Sequence, residues 1–171
     1  MIPFDDSRLT AMGLLAEAFS GLSAKAHLSF AAAGLSDIDF ETLIRLARSP
    51  CRRLRMSDLA AQTNLSTSGV TRVVDRLERE GLVVRQACAT DRRSSYAVIT
   101  EAGTERLGAV LPQHLADIEN WFTGLLSPEQ LDAFLTALRI IRDAVRPCAT
   151  AGAGPAPACG EGGEERAERI G

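Results

Sequence analysis

Apolar residues at intervals of three and four predict a first helix over residues 7–33. They are Leu9, Met12, Ala16, Phe19, Leu22, Ala26 and Phe30. Gly34 ends this helix, and a second helix is expected over residues 37–48, where Pro50 ends it. A short extended segment over 54–56 follows, so the first third of the chain is predicted to be mainly helical.

Two further helices follow, each preceded by a serine that is suited to cap its first turn. Ser57 is the expected cap of a helix over 58–63, and Ser66 is the expected cap of the next helix. This next helix has an apolar stripe and an opposite polar face. The stripe is Val70, Val73, Val74 and Leu77, and the polar face is Ser68, Thr71, Arg72, Asp75 and Arg79. Gly81 suits the left-handed position beyond the helix end.

The second half of the chain begins with a β pattern and then becomes helical again. Residues 82–88 and 95–100 are rich in Val, Ile and Tyr and predict a hairpin. Thr100 begins a long helix with one apolar side, and Ser127 opens the last helix as part of a capping box. The tail, 147–171, consists mainly of Gly, Ala, Pro and charged residues, so we expect it to be disordered.

The charge is distributed unevenly around a net value of −3. Residues 45–93 carry +6, because eleven arginines outweigh five acidic residues, and the remainder carries −9. A basic centre indicates a nucleic-acid partner, the alternative being a solvated charged surface. The chain has no basic leader before an apolar run and no stretch near the roughly 18 apolar residues of a membrane span, so we expect a soluble, cytoplasmic protein without a membrane partner.

The residues that carry chemistry do not form a catalytic or metal-binding pattern. The four cysteines are Cys51, Cys88, Cys148 and Cys159. They form no CxxC pair and have no metal-like spacing with the two histidines, so we expect free thiols and no metal. Both histidines lie on predicted apolar helices, and no glycine-rich phosphate loop exists. The sequence therefore predicts neither a cofactor nor an enzyme activity.

Two short helices joined at Asn64-Leu65 indicate a helix-turn-helix, in which the second helix lies in the DNA major groove. Small hydroxyl residues at its start let the backbone approach DNA and can bond phosphate or base, and Arg72 can reach a guanine edge. The candidate contacts are Ser66, Thr67, Ser68, Thr71, Arg72 and Arg76. The alternatives are plain capping by Ser66 and a solvated, salt-bridged face, in which Asp75 pairs with Arg72 or Arg79.

The predicted hairpin loop adds a second candidate contact with DNA. Arg92 and Arg93 suit a DNA-binding wing that places a guanidinium near the minor groove, and Asp91 can hold one arginine in place. A loop of this composition is a weak indication by itself. Its position directly after a helix-turn-helix makes it a strong one.

The segments "LSTSGVTRVVDRLEREGLVVR" and "TDRRSSYAVITEAG" resemble the MarR family of winged-helix regulators. The family pattern is matched at Ser66, Val70-Thr71-Arg72, Asp75–Glu78, Gly81–Val83, Arg85, Asp91–Arg93 and Thr100–Gly103. The motif-dense part is about residues 54–103, and the helical layout extends over about 7–146. Many members have a longer wing, "DPRDRR", whereas Cys88-Ala89-Thr90 stands in its first half here, which leaves open which arginine enters the groove.

The resemblance implies a mainly α fold with a small β-hairpin in one domain, residues 1–146. A winged helix-turn-helix lobe would span 36–100, and the helices over 7–33 and 101–146 would form a two-fold dimer that binds a pseudopalindrome, as a repressor does. Residues 66–68, with Thr71 and Arg72, would face the major groove. Arg92 or Arg93 would be the wing arginine, with Asp91 as its partner.

Family members often respond to small, frequently phenolic or anionic molecules bound between the DNA-binding lobe and the dimer helices. His27, His114 and Trp121 are candidates for such a pocket, the alternative being packed core residues. Cys88 is a candidate redox residue, because nearby arginines lower the pKa of a thiol. A winged-helix interaction module that does not bind DNA is the other alternative.

Overall fold

The computed structural model describes residues 4–88 and 95–146. Its helices are α1 (Ser7–Ala32), α2 (Asp37–Ala47), α3 (Met56–Thr63), α4 (Thr67–Arg79), α5 (Glu101–Trp121) and α6 (Pro128–Val145), and its strands are β1 (Arg53–Arg55), β2 (Val83–Ala87) and β3 (Ser95–Ile99). The predicted fold class, mainly α with a small β-hairpin, is confirmed. The tail over 147–171, for which disorder was predicted, lies outside the described residues.

The hairpin belongs to a three-stranded antiparallel sheet in the order β1-β3-β2. Arg55 of β1 and Gln86 of β2 both lie opposite Tyr96 of the central strand β3. Only a short extended segment near β1 is predicted from the sequence, because the partner strand β3 lies about forty residues further along the chain. The sheet therefore ties the segment before α3 to the base of the predicted wing.

Side-chain caps set the starts of several helices. The Oγ atoms of Ser66 and Ser127 accept backbone N–H groups at the starts of α4 and α6, as predicted. The prediction that Ser57 is a cap is wrong, because α3 already begins at Met56 and its N-cap is Arg55. Since β1 ends at Arg55, the chain turns directly from the strand into the helix.

One hydrophobic core joins α2, α3, α4, the sheet and the first turns of α5. Its buried residues are Phe30, Leu35, Phe40, Leu43, Leu46, Leu59, Ala60, Val70, Val73, Val74, Leu77, Leu82, Val83, Ala97, Ile99, Leu107 and Val110. The predicted apolar stripe of α4 is buried throughout, and each such side chain contributes roughly 1.5–3 kcal/mol. The core thus holds α4 by one face and leaves the other face to solvent.

Apart from this core, large apolar side chains are exposed on α1, the second half of α5, the following turn and α6. We call them the outer apolar surface. It comprises Leu9, Met12, Leu14, Phe19, Leu28, Leu115, Trp121, Leu125, Phe134, Ile140, Ile141 and Val145. No residue of α6 is buried, although this helix is amphipathic over 18 residues. Of the helices in the described ranges, none has both the length and the apolar character to cross a membrane.

Gly103 lies in the first turn of α5, directly against the backbone of Leu82. A Cβ atom at this position would lie 2.2 Å from the Leu82 carbonyl oxygen and 2.8 Å from Cγ1 of Ile99. That oxygen is held in place, since it accepts the backbone N–H of Thr100 at 3.1 Å. We expect Gly103→Ala to lower the free energy of unfolding by about 1–3 kcal/mol, measured by urea denaturation.

Gly108→Ala is the matched control on the same helix. A Cβ atom there meets nothing within 4 Å, so alanine should leave stability unchanged or raise it by up to about 1 kcal/mol. Equal unfolding midpoints for the two variants would contradict the close approach of α5 to Leu82.

Candidate nucleic-acid interface

The segment from α3 to α4 has the geometry of a helix-turn-helix. Asn64 ends α3 in the left-handed conformation with φ 57°, and the backbone N–H of Leu65 bonds the carbonyl of Ala60 at 3.0 Å. The Ser66 Oγ atom accepts the N–H of Gly69 at 3.1 Å and starts α4. These contacts close the turn in three residues, so the amino end of α4 projects beside α3.

The hydroxyl residues at the start of α4 are exposed together. The side chains of Ser66, Thr67 and Ser68 are all accessible, and the Oγ atoms of Ser66 and Ser68 are 3.1 Å apart. The Thr71 hydroxyl donates to the carbonyl of Thr67 at 2.8 Å, which leaves its oxygen lone pairs available to accept. Arg72 lies next to it and is exposed. The structure thus brings five of the predicted contacts to one helix end.

Asp75 does not have the partner that the sequence analysis expected. Its carboxylate pairs with Arg85 of β2 at 2.6 Å, not with Arg72 or Arg79. Arg79 instead donates to the backbone carbonyl of Asp75 at 3.2 Å. Arg85 also binds Glu78 through its guanidinium at 2.9 Å and through its backbone N–H at 3.0 Å. This charge network joins the base of the hairpin to α4, and helical spacing alone does not reveal it.

Arg76 faces away from the exposed end of α4 and pairs with Asp39 of α2. The Asp39 side chain is only 8% exposed, and it also accepts the backbone N–H of Ser36 at 3.1 Å within the capping box of α2. The Arg76 guanidinium therefore balances a buried carboxylate inside the lobe. This ion pair argues against the interpretation of Arg76 as a DNA contact.

The predicted wing residues Asp91, Arg92 and Arg93 lie outside the described residues. The base of the wing is described, and it carries two further arginines that the sequence analysis did not single out. The guanidinium carbons of Arg53 and Arg55 lie 4.7 and 5.7 Å from the ring centroid of Tyr96. The hydrogen bond to the Tyr96 hydroxyl is the main cause of a raised pKa for Arg55. Positive charge is thus present on β1, at the base of the hairpin.

Of the two cysteines in the described ranges, Cys88 keeps its thiol as predicted and Cys51 does not, while Cys148 and Cys159 lie outside the described residues. Cys51 is disulfide-bonded, so the prediction of four free thiols is wrong at this position. Cys88 follows β2 and is only 6% exposed. Burial works against a peroxide-sensing role, because such a thiol has to be accessible.

A cavity of about 670 Å³ lies between α1, α2 and α5. It is lined by Phe19, Leu22, Ser23, Lys25, Ala26, Phe30, Asp37, Ile38, Phe40, Glu41, His114, Asp117, Ile118 and Phe122. Of the three pocket candidates only His114 lines it. His27 lies beside it, with Nδ1 3.0 Å from the Asp37 carboxylate. Trp121 lines a second cavity of about 790 Å³ between α1 and α6, so the structure does not bring the three together.

His114 packs against the rings of Phe30 and Phe40, with both centroid distances at 4.9 Å. Its Nδ1 atom is buried and has no hydrogen-bond partner within the described part of the chain. Burial lowers the pKa of this imidazole, although the charge of Asp117 opposes the shift. Over residues 4–88 and 95–146, no cluster of three or more potential ligand side chains could hold a metal ion.

Comparison with known proteins agrees with this geometry. A model of the MarR family matches residues 33–94. The HTH-type transcriptional regulator YkoM of Bacillus subtilis is 32% identical over 127 residues, which are 74% of this chain and 80% of that protein. The structure of AbsC, a MarR family transcriptional regulator from Streptomyces coelicolor, superimposes with a TM-score of 0.79 at 34% identity, over 86% of this chain and 99% of AbsC.

A second regulator from Streptomyces coelicolor, Sco3205, was crystallised in complex with DNA. It gives a TM-score of 0.75 at 30% identity, over 82% of this chain and 88% of its own. These relatives are transcriptional regulators and not enzymes. The helix-turn-helix with its exposed polar end, the hairpin behind it and these likenesses together establish that the chain belongs to the MarR family of DNA-binding transcriptional regulators.

Proposed function

We propose that this chain is a repressor that binds a pseudopalindromic operator as a homodimer and is released by a small molecule. The observation that carries the proposal is the exposed hydroxyl- and arginine-bearing end of α4, held rigidly by a buried stripe. A relative named as a repressor, YetL of Bacillus subtilis, is 33% identical over 113 residues, which are 64% of this chain and 65% of that protein.

The outer apolar surface supports a two-fold dimer. Within the described ranges it comprises twelve large apolar side chains that are exposed on α1, the second half of α5, the following turn and α6, and large exposed apolar surfaces mark interaction sites. A symmetric pair of chains covers the same patch on both partners. In the proposed organisation residues 1–146 form one domain, whose helices over 7–33 and 101–146 make the interface and whose lobe over 36–100 binds DNA.

The proposal assigns a role to the polar groups at the start of α4, in the wing and at the base of the hairpin. Thr67, Ser68, Thr71 and Arg72 contact the major groove, while Ser66 chiefly caps the helix. Arg92 or Arg93 enters the minor groove and Asp91 orients it. The Arg85 network holds the hairpin against α4, so that the two contacts keep a constant spacing.

The cavity between α1, α2 and α5 is the proposed effector site. One turn of α2 separates it from α4: Asp37, Ile38 and Phe40 line the cavity, while Asp39 points to Arg76. A ligand that displaces this turn would shift α4 through the Asp39–Arg76 pair. Spatial continuity is the support for this route.

DNA binding tests the proposal directly. We expect the full-length protein to shift a fluorescent fragment of its own promoter region, with two chains per site in sedimentation velocity. Phosphate contacts release counterions, so affinity should fall by about 10³–10⁵ between 50 and 200 mM salt if six to ten phosphates are contacted. A salt-independent interaction, or no shift of any such fragment at low salt, would favour the interaction-module alternative.

Two expectations remain predictions. A redox-sensing variant of this function would use Cys88, and its burial counts against it. Replacing Cys88 with serine should therefore leave the response of DNA binding to peroxide unchanged. The second expectation that stays a prediction is that the protein is located in the cytoplasm.

A further inference from the structure

The residues that line the proposed effector cavity do not suit the phenolic or anionic molecules that the family resemblance implies as ligands. The apolar part of the cavity wall contains four phenylalanines, Phe19, Phe30, Phe40 and Phe122. Its ionisable part contains three carboxylates, Asp37, Glu41 and Asp117, against one lysine, Lys25. Aromatic rings and carboxylates both favour positive charge.

The single lysine offsets only part of this negative charge, since its charge is the smallest of the causes that lower the pKa of Asp117. Its ammonium group lies over the ring of Trp121, 4.3 Å from the centroid, and Trp121 lines the neighbouring cavity. Glu41 is neutralised by Arg45, whose Nε donates to its carboxylate at 2.8 Å. Asp37 contacts only the imidazole of His27, at 3.0 Å, and neither Asp37 nor Asp117 has an arginine or lysine bound to it among the described residues.

Asp117 is held in its charged form. Ser29 and Gln113 donate hydrogen bonds to its two oxygens at 2.5 and 2.9 Å, and these bonds lower the pKa of the carboxyl group. His114 offsets little of this charge, because burial lowers its own pKa, although its charge is among the causes that lower the pKa of Asp117.

We propose that this cavity selects a lipophilic organic cation: an aromatic or alkyl-rich body with one positive charge, held between the phenylalanine rings and the carboxylates of Asp37 and Asp117. This inference rests on the proposed effector role of the cavity. It departs from the anionic ligands that the family resemblance implies. The chemistry covers both protonated amines and permanent cations, and it excludes carboxylates and phenolates as preferred ligands.

Tetraphenylphosphonium and tetraphenylborate test the inference, since they have nearly the same size and shape and opposite charge. We expect isothermal titration of the full-length protein to show binding of the cation at least about tenfold tighter than that of the anion. Ala26→Trp places a large side chain in the cavity. Binding that remains in this variant occurs outside the cavity, and it is subtracted from the binding measured for the unmodified protein. Equal or tighter binding of tetraphenylborate within the cavity, or no binding of either ion, would overturn the inference.

Variants that remove one carboxylate each show which residues cause the preference for the cation. Asp37→Asn and Asp117→Asn should each weaken tetraphenylphosphonium binding about three- to tenfold without weakening that of tetraphenylborate. Glu105→Gln removes an exposed carboxylate from the same helix as Asp117, outside the cavity lining, and should change neither. If the asparagine variants keep full discrimination, the carboxylates do not select the ligand and the inference is wrong.

A DNA titration without either ion separates this inference from the proposed function. If the protein binds its promoter fragment but does not discriminate between the two ions, only the ligand class is wrong. If the ions are discriminated and no DNA is bound, the cavity inference stands as a binding property and the repressor proposal fails.

Discussion

Replacing Arg72 with alanine is expected to weaken operator binding by about 1–3 kcal/mol per half-site, and so by about 2–6 kcal/mol for a dimer on two half-sites. The reason is geometric. Arg72 is exposed one turn after the hydroxyl-rich start of α4, and the described residues supply no ion-pair partner for its guanidinium. A bidentate contact with guanine is lost with the side chain, and no other residue of the helix end replaces it.

Fluorescence anisotropy with operators of altered sequence measures this effect. The loss should be large on the preferred operator and small on operators in which the contacted base pair is already changed. Arg79→Ala is the control, because it removes the same charge from the same helix. The Nε atom of Arg79 donates a hydrogen bond to the backbone carbonyl of Asp75. A loss for Arg72→Ala that is equal on all sequences would make this residue a phosphate contact.

Replacing Arg76 with alanine is expected to act on stability first. It leaves the nearly buried carboxylate of Asp39 without its ion-pair partner. Removing one partner of a fully buried pair costs about 3–5 kcal/mol, and the partial exposure of Arg76 reduces our expectation to about 2–4 kcal/mol. Urea denaturation without DNA measures the loss.

A double-mutant cycle with Asp39→Asn shows whether the two side chains act together. If they do, the double variant should be less destabilised than the sum of the single variants. Arg79→Ala should change stability by less than about 0.5 kcal/mol, since it is an exposed arginine of the same helix. Unchanged stability of Arg76→Ala together with a loss of DNA affinity would return Arg76 to the DNA interface.

Arg72 and Arg76 lie four positions apart on α4, and they show what sequence reasoning can and cannot distinguish. Both belong to a basic segment, and both were assigned to DNA from their place on α4. The buried stripe of this helix was predicted correctly, because a helical period depends only on residues three and four positions apart. The partner of Arg76 lies 37 positions away in α2, and no local pattern indicates it.

The candidate effector site shows the same limit. From the sequence, His27, His114 and Trp121 are candidates for one pocket. The structure separates them, with His114 in one cavity, Trp121 in another and His27 beside Asp37. Which residues share a cavity depends on the crossing of α1, α2, α5 and α6, and the carboxylates that determine its charge were not predicted.

The sequence by itself determined the local elements and their order: the approximate bounds of most helices, the caps at Ser66 and Ser127, the helix-turn-helix and the hairpin behind it. Caps and periodicity act over one helical turn, so adjacent residues specify them. Only the tertiary structure decided that β1 joins the sheet, that Arg85 binds Asp75 and that Arg76 binds Asp39. These contacts join different elements, so their partners depend on how the core orients those elements.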